Sequence, residues 1–176
     1  KNVNFNLNSL EAKLPYENNF FDVIYGISIF THLSEEKHLE WKKELYRILK
    51  PEGILLLTLQ GDAFKSILTE EENKIYDNGD IIVRGKVKEG HRTFSAFHPK
   101  NYVNNLFYDM KILEHIESKN NNGNLEQPEN KLNFFIKLSW ASSLVFDFLI
   151  VAITSSILSI AIFNHSKIWA LASATF

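Results

Sequence analysis

The sequence predicts an α/β protein organised on one parallel βαβ unit and ending in an apolar C-terminal helix. Three observations carry that prediction. Phe21 to Ile27 is a near-continuous apolar run with β-branched and aromatic residues, the pattern of a strand covered on both faces. Ser34 to Leu49 spaces its apolar residues as a helix does. Ile54 to Leu59 is a second buried-strand run, and a crossover of this length joins parallel strands in the right-handed sense.

Each element has its own warrant. Val3 to Leu7 alternates apolar residues with Asn, as a half-exposed strand would, and Asn8 to Lys13 forms a loop. Asp22 lies at the amino end of the Phe21 strand, where a structural role outweighs a catalytic one. Ser34 is a good N-cap, and Glu35 and Glu36 sit against the positive end of the helix dipole. Leu39, Trp41, Leu45, Ile48 and Leu49 give the apolar stripe; Glu40, Lys42, Lys43 and Glu44 give the wet face. Pro51 stops the helix and Gly53 frees the turn.

Downstream, Ala63 to Tyr76 reads as a helix, with Glu70 to Glu72 as its solvated face. Asp77 to Asp80 is a turn, and Ile81 to Val87 a short strand interrupted by Gly85, part of a lid or substrate wall. Phe94 to Phe97 is a strand, and His98-Pro99 starts a helix carrying Tyr102, Val103, Leu106 and Phe107. Met110 to Ile116 and Lys131 to Leu138 read as strands about an Asn-rich loop.

Composition narrows the function. With 176 residues the chain is long enough for a real core, and a net charge of −2 gives no basic footprint for nucleic acid. The absence of Cys excludes disulfides, thiolate metal sites and cysteine nucleophiles, and the six His lack metal-ligand spacing, so no metal is expected. In open parallel sheets, ligands bind beyond the carboxyl ends of the strands. Those ends are Gly26 to His32 and Gln60 to Asp62. His32 is the titratable side chain of the first loop, the candidate general base; its alternative is to pack against or cap the following helix. Gln60, Gly61 and Asp62 suit either substrate contact or a simple turn.

Leu138 to Phe163 holds one charged residue, Asp147. As a helix it would span roughly 39 Å, against a bilayer core of about 30 Å. Asp147 opposes insertion by about 2.5 to 3.5 kcal/mol near the centre. The expected organisation is therefore a domain over 1–137 and a hydrophobic tail over 138–176, a candidate transmembrane helix. A buried helical hairpin or an interaction surface is the alternative.

The ordered run LPY-x4-FDVIY, SIFTHLSEE, W-x2-EL-x-RILKPEG-ILLLT resembles the second half of a class I S-adenosylmethionine-dependent methyltransferase domain. The likeness extends upstream through Phe5 to Asn8 and downstream, more weakly, through Phe94 to Tyr102. It implies a partial Rossmann-like sheet with antiparallel later strands, S-adenosylmethionine as methyl donor, a methyl acceptor of unknown identity and a cytoplasmic location, membrane-anchored if the tail inserts. By resemblance, Asn8, Ser9 and Leu10 lie beside the adenine, and backbone groups of Ile27 and Ser28 meet the amino-acid portion. Relatives carry an Asp near the adenine; here the Asn8 amide oxygen is the substitute.

The family's Gly-rich cofactor turn has no counterpart, since Gly26, Gly53 and Gly61 are isolated. The strands that normally lie between those of Val3–Leu7 and Phe21–Ile27 are also missing from the pattern. The expectation is a carboxyl-terminal part of a methyltransferase domain, with Phe21–Ile27 exposing an unpaired edge unless a partner chain completes the sheet. A non-catalytic half-domain or a membrane-tethered interaction module is the alternative function.

Overall fold

The structure, a computed structural model, describes residues 3–117, 134–139, 159–164 and 167–172. Strand β1 (Val3–Leu7) leads through a long connection to β2 (Phe21–Ile27). A 3-10 turn, Phe30–His32, precedes α1 (Glu35–Ile48), which runs directly into β3 (Leu49–Thr58). A second 3-10 segment, Asp62–Ile67, is followed by α2 (Glu70–Asp77) and the hairpin β4 (Ile82–Arg84) and β5 (Ser95–Phe97). Then come α3 (Lys100–Leu106), β6 (Lys111–Glu117), β7 (Phe134–Ser139), β8 (Ser159–Asn164) and β9 (Lys167–Ala172).

Seven strands form one sheet in the order β1-β9-β8-β2-β3-β7-β6, and β4-β5 stands apart. The central pair β2 and β3 is parallel, with Val23 opposite Ile54 and Gly26 opposite Leu57. β7 is antiparallel to β3 and β6 to β7, as expected for the later strands. On the other side the C-terminal hairpin fills the gap. β8 runs antiparallel to β2, with Ile27 opposite Ser159, and β9 runs parallel to β1, with Leu7 opposite Ala172.

Two expectations are corrected here. β2 has no open edge, because β8 pairs with it and β3 takes the other side. The apolar helix from Leu138 to Phe163 is not formed as read: Leu138 belongs to β7, and Ser159 to Phe163 belong to β8. Residues 140–158, including Asp147, and the loop at 119–129 lie outside the described residues. Among the described residues no helix is long and apolar enough to cross a membrane.

The core lies between the sheet and α1 with α3. Phe21, Ile24, Leu55 and Leu57 of the strands meet Leu45, Ile48, Val103 and Phe107, all essentially inaccessible. The Ser34 hydroxyl caps α1 by accepting from Lys37 N–H at 3.3 Å. The stripe is His38, Trp41, Leu45 and Ile48, whereas Leu39 is 49% exposed. Lys42 and Glu44, assigned to the wet face, are instead buried. The Lys42 ammonium pairs with Asp109 and sits over the rings of Tyr46 and Tyr108 at 5.6 and 5.5 Å.

Glu44 accepts from Leu14 N–H at 2.6 Å and from Arg47 at 2.6 and 2.8 Å. Burial pushes the Glu44 carboxyl up, but the Arg47 guanidinium and the Leu14 amide outweigh it and hold the group below the usual range. Arg47 also donates to the carbonyls of Tyr16 and Leu14, so one ion pair fastens the β1–β2 connection along α1.

The exit from α1 also differs from expectation. The left-handed residue is Glu52, at φ 63°, and Gly53 serves close packing: a Cβ there would lie 2.8 Å from Leu49 Cδ1. The single helix read over Ala63 to Tyr76 is two segments divided at Thr69. That residue starts α2 with a capping box, its hydroxyl accepting from Glu72 N–H and its own N–H donating to the Glu72 carboxylate.

Since β8 and β9 separate β1 from β2, a chain ended at residue 137 uncovers both. The expected outcome is loss of amide-exchange protection at Val3–Leu7 and a melting midpoint lower by more than about 10 °C. Unchanged protection in that truncated chain would show that the hairpin does not hold β1.

Candidate functional site

The carboxyl edge of β2 is shaped by a left-handed residue. Ser28 has φ 58°, which swings the chain off the strand into the Phe30–His32 turn. Its N–H donates to Thr58 Oγ1 at 2.7 Å, tying the tips of β2 and β3 together. Thr31 Oγ1 donates to the Ser28 carbonyl at 3.0 Å and lies 3.1 Å from Ser28 Oγ. The Ser28 backbone donor is therefore already engaged inside the fold. Gly26 is needed for close approach, because a Cβ would stand 3.0 Å from Leu57 Cδ2.

His32 is half-buried at the end of this turn. Its Nδ1 lies 2.7 Å from the Phe94 carbonyl, which can only accept, so Nδ1 carries the proton and Nε2 presents its lone pair. The His32 carbonyl in turn accepts from Gly90 N–H at 2.9 Å. The β4–β5 loop is thus laced to the His32 turn at two points, Gly90 and Phe94. Glu89 adds a third stitch by accepting from Ser34 N–H at the start of α1. Of the Ile81–Val87 segment read as a strand and part of a lid or substrate wall, Ile82–Arg84 forms β4 and the rest enters this loop.

Leu10 joins the same place. Its carbonyl accepts from Trp41 Nε1 at 3.3 Å, and its Cδ1 would be 3.6 Å from a Cβ on Gly90. Leu10 and His32 are therefore brought together through the loop at Gly90. Asn8 is half-buried, and exposed Ser9 accepts on Oγ from Glu11 N–H at 3.3 Å. These two stay with β1, three inter-strand spacings from Ile27 and Ser28, or roughly 14 Å. At the carboxyl end of β3, the buried Gly61 packs against Glu117, whose Oε1 would be 2.7 Å from a Cβ there. Gln60 Oε1 and Glu117 Oε2 are buried without a hydrogen-bond partner. Among the described residues no His, Asp and Glu cluster is arranged to hold a metal.

A buried polar layer underlies the edge, and the sequence reading missed it. His38 stacks on Phe30 with ring centres 5.1 Å apart and donates from Nε2 to the Phe30 carbonyl at 2.6 Å. Tyr102 supplies its hydroxyl to His38 Nδ1 at 3.2 Å. His98 lies alongside, its Nε2 3.4 Å from His38 Nε2, and its backbone N–H donates to the Gln60 carbonyl at 2.7 Å. The Tyr76 hydroxyl is shared between Asp62 Oδ1 and the His98 carbonyl, at 3.0 and 3.1 Å. Burial lowers His38 to about 4. Burial, and then the neighbouring His38, hold His98 well below its ordinary value. Burial raises both Tyr76 and Tyr102. The signal for His38 was present in the sequence: 38, 41, 45 and 48 fall on one helical face.

Comparison with known proteins places the first third of this arrangement. Residues 1–57, from β1 into β3, match a family model described as a methyltransferase domain. No curated protein matches the chain. Among solved structures, a SAM-dependent methyltransferase from Methanosarcina mazei is 18% identical with a TM-score of 0.48, covering 73% of this chain and 63% of its own. The PH0226 protein from Pyrococcus horikoshii OT3 is 15% identical with a TM-score of 0.49, covering 74% and 57%. The glycopeptide N-methyltransferase MtfA, complexed with S-adenosyl-L-methionine, is 13% identical with a TM-score of 0.46, covering 77% and 59%. The chain spans less than two thirds of the length of each. Residues 1–57 are thus similar to a methyltransferase domain, the class to which the sequence resemblance also pointed.

The buried imidazoles give a pH dependence of known sign. Their folded values lie below those of the unfolded chain, so the stabilisation is complete above about pH 6.5 and declines as pH falls toward 4. Each neutral imidazole contributes a slope of up to about 1.4 kcal/mol per pH unit in that window. Urea midpoints at pH 7.5, 5.5 and 4.5 should fall steadily, and less steeply in His38→Gln. A flat profile from pH 7.5 to 4.5 would contradict the neutral pair.

Proposed function

We propose that the protein to which this chain belongs is an S-adenosylmethionine-dependent methyltransferase, with His32 as the general base toward the methyl acceptor. The observation that carries the reading is the family match over residues 1–57, a span that includes Asn8 to Leu10, Ile27, Ser28 and His32. Support from geometry comes from the carboxyl edge, where the His32 Nδ1–H is fixed on the Phe94 carbonyl and Nε2 is left as acceptor.

The cofactor fits this edge unevenly. At the β1 end, the half-buried Asn8, the Ser9 hydroxyl and the apolar Leu10 suit an adenine ring and its amine. At the β2 end the Gly-rich cradle has no equivalent among the described residues. The neighbour of β2 is β8, which runs antiparallel, so its carboxyl end faces the opposite edge of the sheet. The Ser28 N–H that would serve there is held by Thr58.

When bound, S-adenosylmethionine supplies a methyl group on a positively charged sulfur. This chain's contribution is placement of the acceptor and removal of its proton. His32 Nε2 takes the proton of an acceptor hydroxyl or amine, and the Phe94 carbonyl steadies the imidazolium that results. The loop from Gly85 to Phe94 borders the same point, bonded to the His32 ring by Phe94 and to its carbonyl by Gly90.

Calorimetric titration of the full chain with S-adenosylhomocysteine tests the cofactor reading. Saturable binding in the micromolar range is the expected result, and no binding by folded protein would remove it. Once an acceptor is found by screening, His32→Gln should lower kcat by about 10²- to 10⁴-fold while leaving the S-adenosylhomocysteine affinity unchanged. Equal turnover in the variant would take the base role from His32.

A further inference from the structure

The loop that closes over the His32 turn concentrates positive charge in a chain whose net charge is −2. Arg84, Lys86, Lys88 and Arg92 fall within residues 84–92, and Glu89 is the one carboxylate among them. Two of these five charges are committed inside the fold. Arg84 forks onto Glu72 at 2.6 and 2.9 Å, and Glu89 accepts from Ser34 N–H at the start of α1. Lys86, Lys88 and Arg92 are exposed, and none takes part in an ion pair among the described residues.

The loop is built rather than loose. His91 N–H donates to the Lys88 carbonyl at 3.1 Å and Phe94 N–H to the His91 carbonyl at 2.8 Å, giving two successive turns. Gly90 supplies the left-handed residue within the first of them, at φ 82°. Gly90 and Phe94 then anchor both turns to His32. Glu35 and Glu36 are exposed on the first turn of α1, where the helix dipole compensates part of their field. Lys37 is already paired with Glu40.

We propose that the methyl acceptor carries an anionic group, a carboxylate or a phosphate, which Lys86, Lys88 and Arg92 hold at the mouth of the site beside His32. The role as acceptor rests on the methyltransferase reading; the anion site stands on the charge and the geometry of the loop. A planar guanidinium at Arg92 offers a two-pronged donor, and the two ammonium groups add unpaired positive charge. Solvent-exposed charges of this kind also draw an anion toward the edge, in a salt-dependent way.

Inorganic pyrophosphate and citrate are the probes, titrated into the full chain at low salt and at about 0.15 M ionic strength. The comparison is with K86Q/K88Q/R92Q, whose exposed side chains leave the core untouched, and with K43Q/K74Q/K111Q as a charge-matched control. The expected result is saturable binding by the wild type, weakened by salt, unchanged in the control and reduced at least about tenfold in the loop variant. Preference for pyrophosphate identifies a phosphate acceptor, and preference for citrate a carboxylate. Equal affinity in the loop variant, or no saturable binding by the folded chain, overturns the proposal. S-adenosylhomocysteine titrated into the same samples separates the two readings. A chain that holds pyrophosphate through these residues but not S-adenosylhomocysteine keeps the anion site and loses the role as acceptor.

Discussion

A parallel strand buried on both faces needs a hydrogen-bonded neighbour on each side, and this constraint governs the architecture. β2 comes near this limit: Phe21, Ile24 and Gly26 are buried, and Val23, Tyr25 and Ile27 are half-buried. β3 satisfies one edge through the βαβ crossover. The other edge is met from the far end of the chain, by β8, and with β8 comes β9, which in turn gives β1 its partner. Without that supply β1 would have no strand beside it in the sheet.

The polar interactions divide into two sets with different work. One set fastens the connections along α1: Glu44 and Arg47 secure the chain from Leu14 to Asn18, and Lys42 secures the end of α3 through Asp109. The other set lies under the carboxyl edge, where His38, His98, Tyr102 and Tyr76 hold the turn at Phe30, the end of β3 and the start of α3 to one another. The first set is made of ionised pairs and favours neutral pH by keeping charge matched. The second is made of neutral groups and favours it by excluding charge altogether.

The parts legible in the sequence are those settled by short-range patterns. Two apolar runs, a Ser-Glu-Glu helix start and a Lys-Pro-Glu-Gly exit fall within residues 21–58, so the βαβ unit could be read to within a few residues. The place of the Phe30–His32 turn, just beyond the end of β2, followed from the position of the strand ends alone. Burial of Lys42 and Glu44 was not legible, because their partners Asp109 and Leu14 are distant in sequence and no periodicity announces them. The tail misled for a different reason. Runs such as Ser159–Asn164 and Lys167–Ala172 are short and apolar, a pattern that strand and helix share, and only the vacant edge of β2 decides between them. The carboxylate of Glu117 beside Gly61 was equally out of reach, since it depends on where β6 comes to rest.

The pairing of β1 with β9 has a consequence for how the chain is made. β1 leaves the ribosome long before β9 exists, and its Phe5 and Leu7 remain 71% and 80% exposed even in the finished fold. Until β9 emerges, β1 lacks the strand it pairs with, whereas β2, α1 and β3 can collapse on one another as soon as they are synthesised. The β1–β9 ladder therefore closes later than the β2–β3 pair, across a far greater sequence separation. That is the slow, entropically costly kind of contact, and it leaves an apolar strand waiting for its partner.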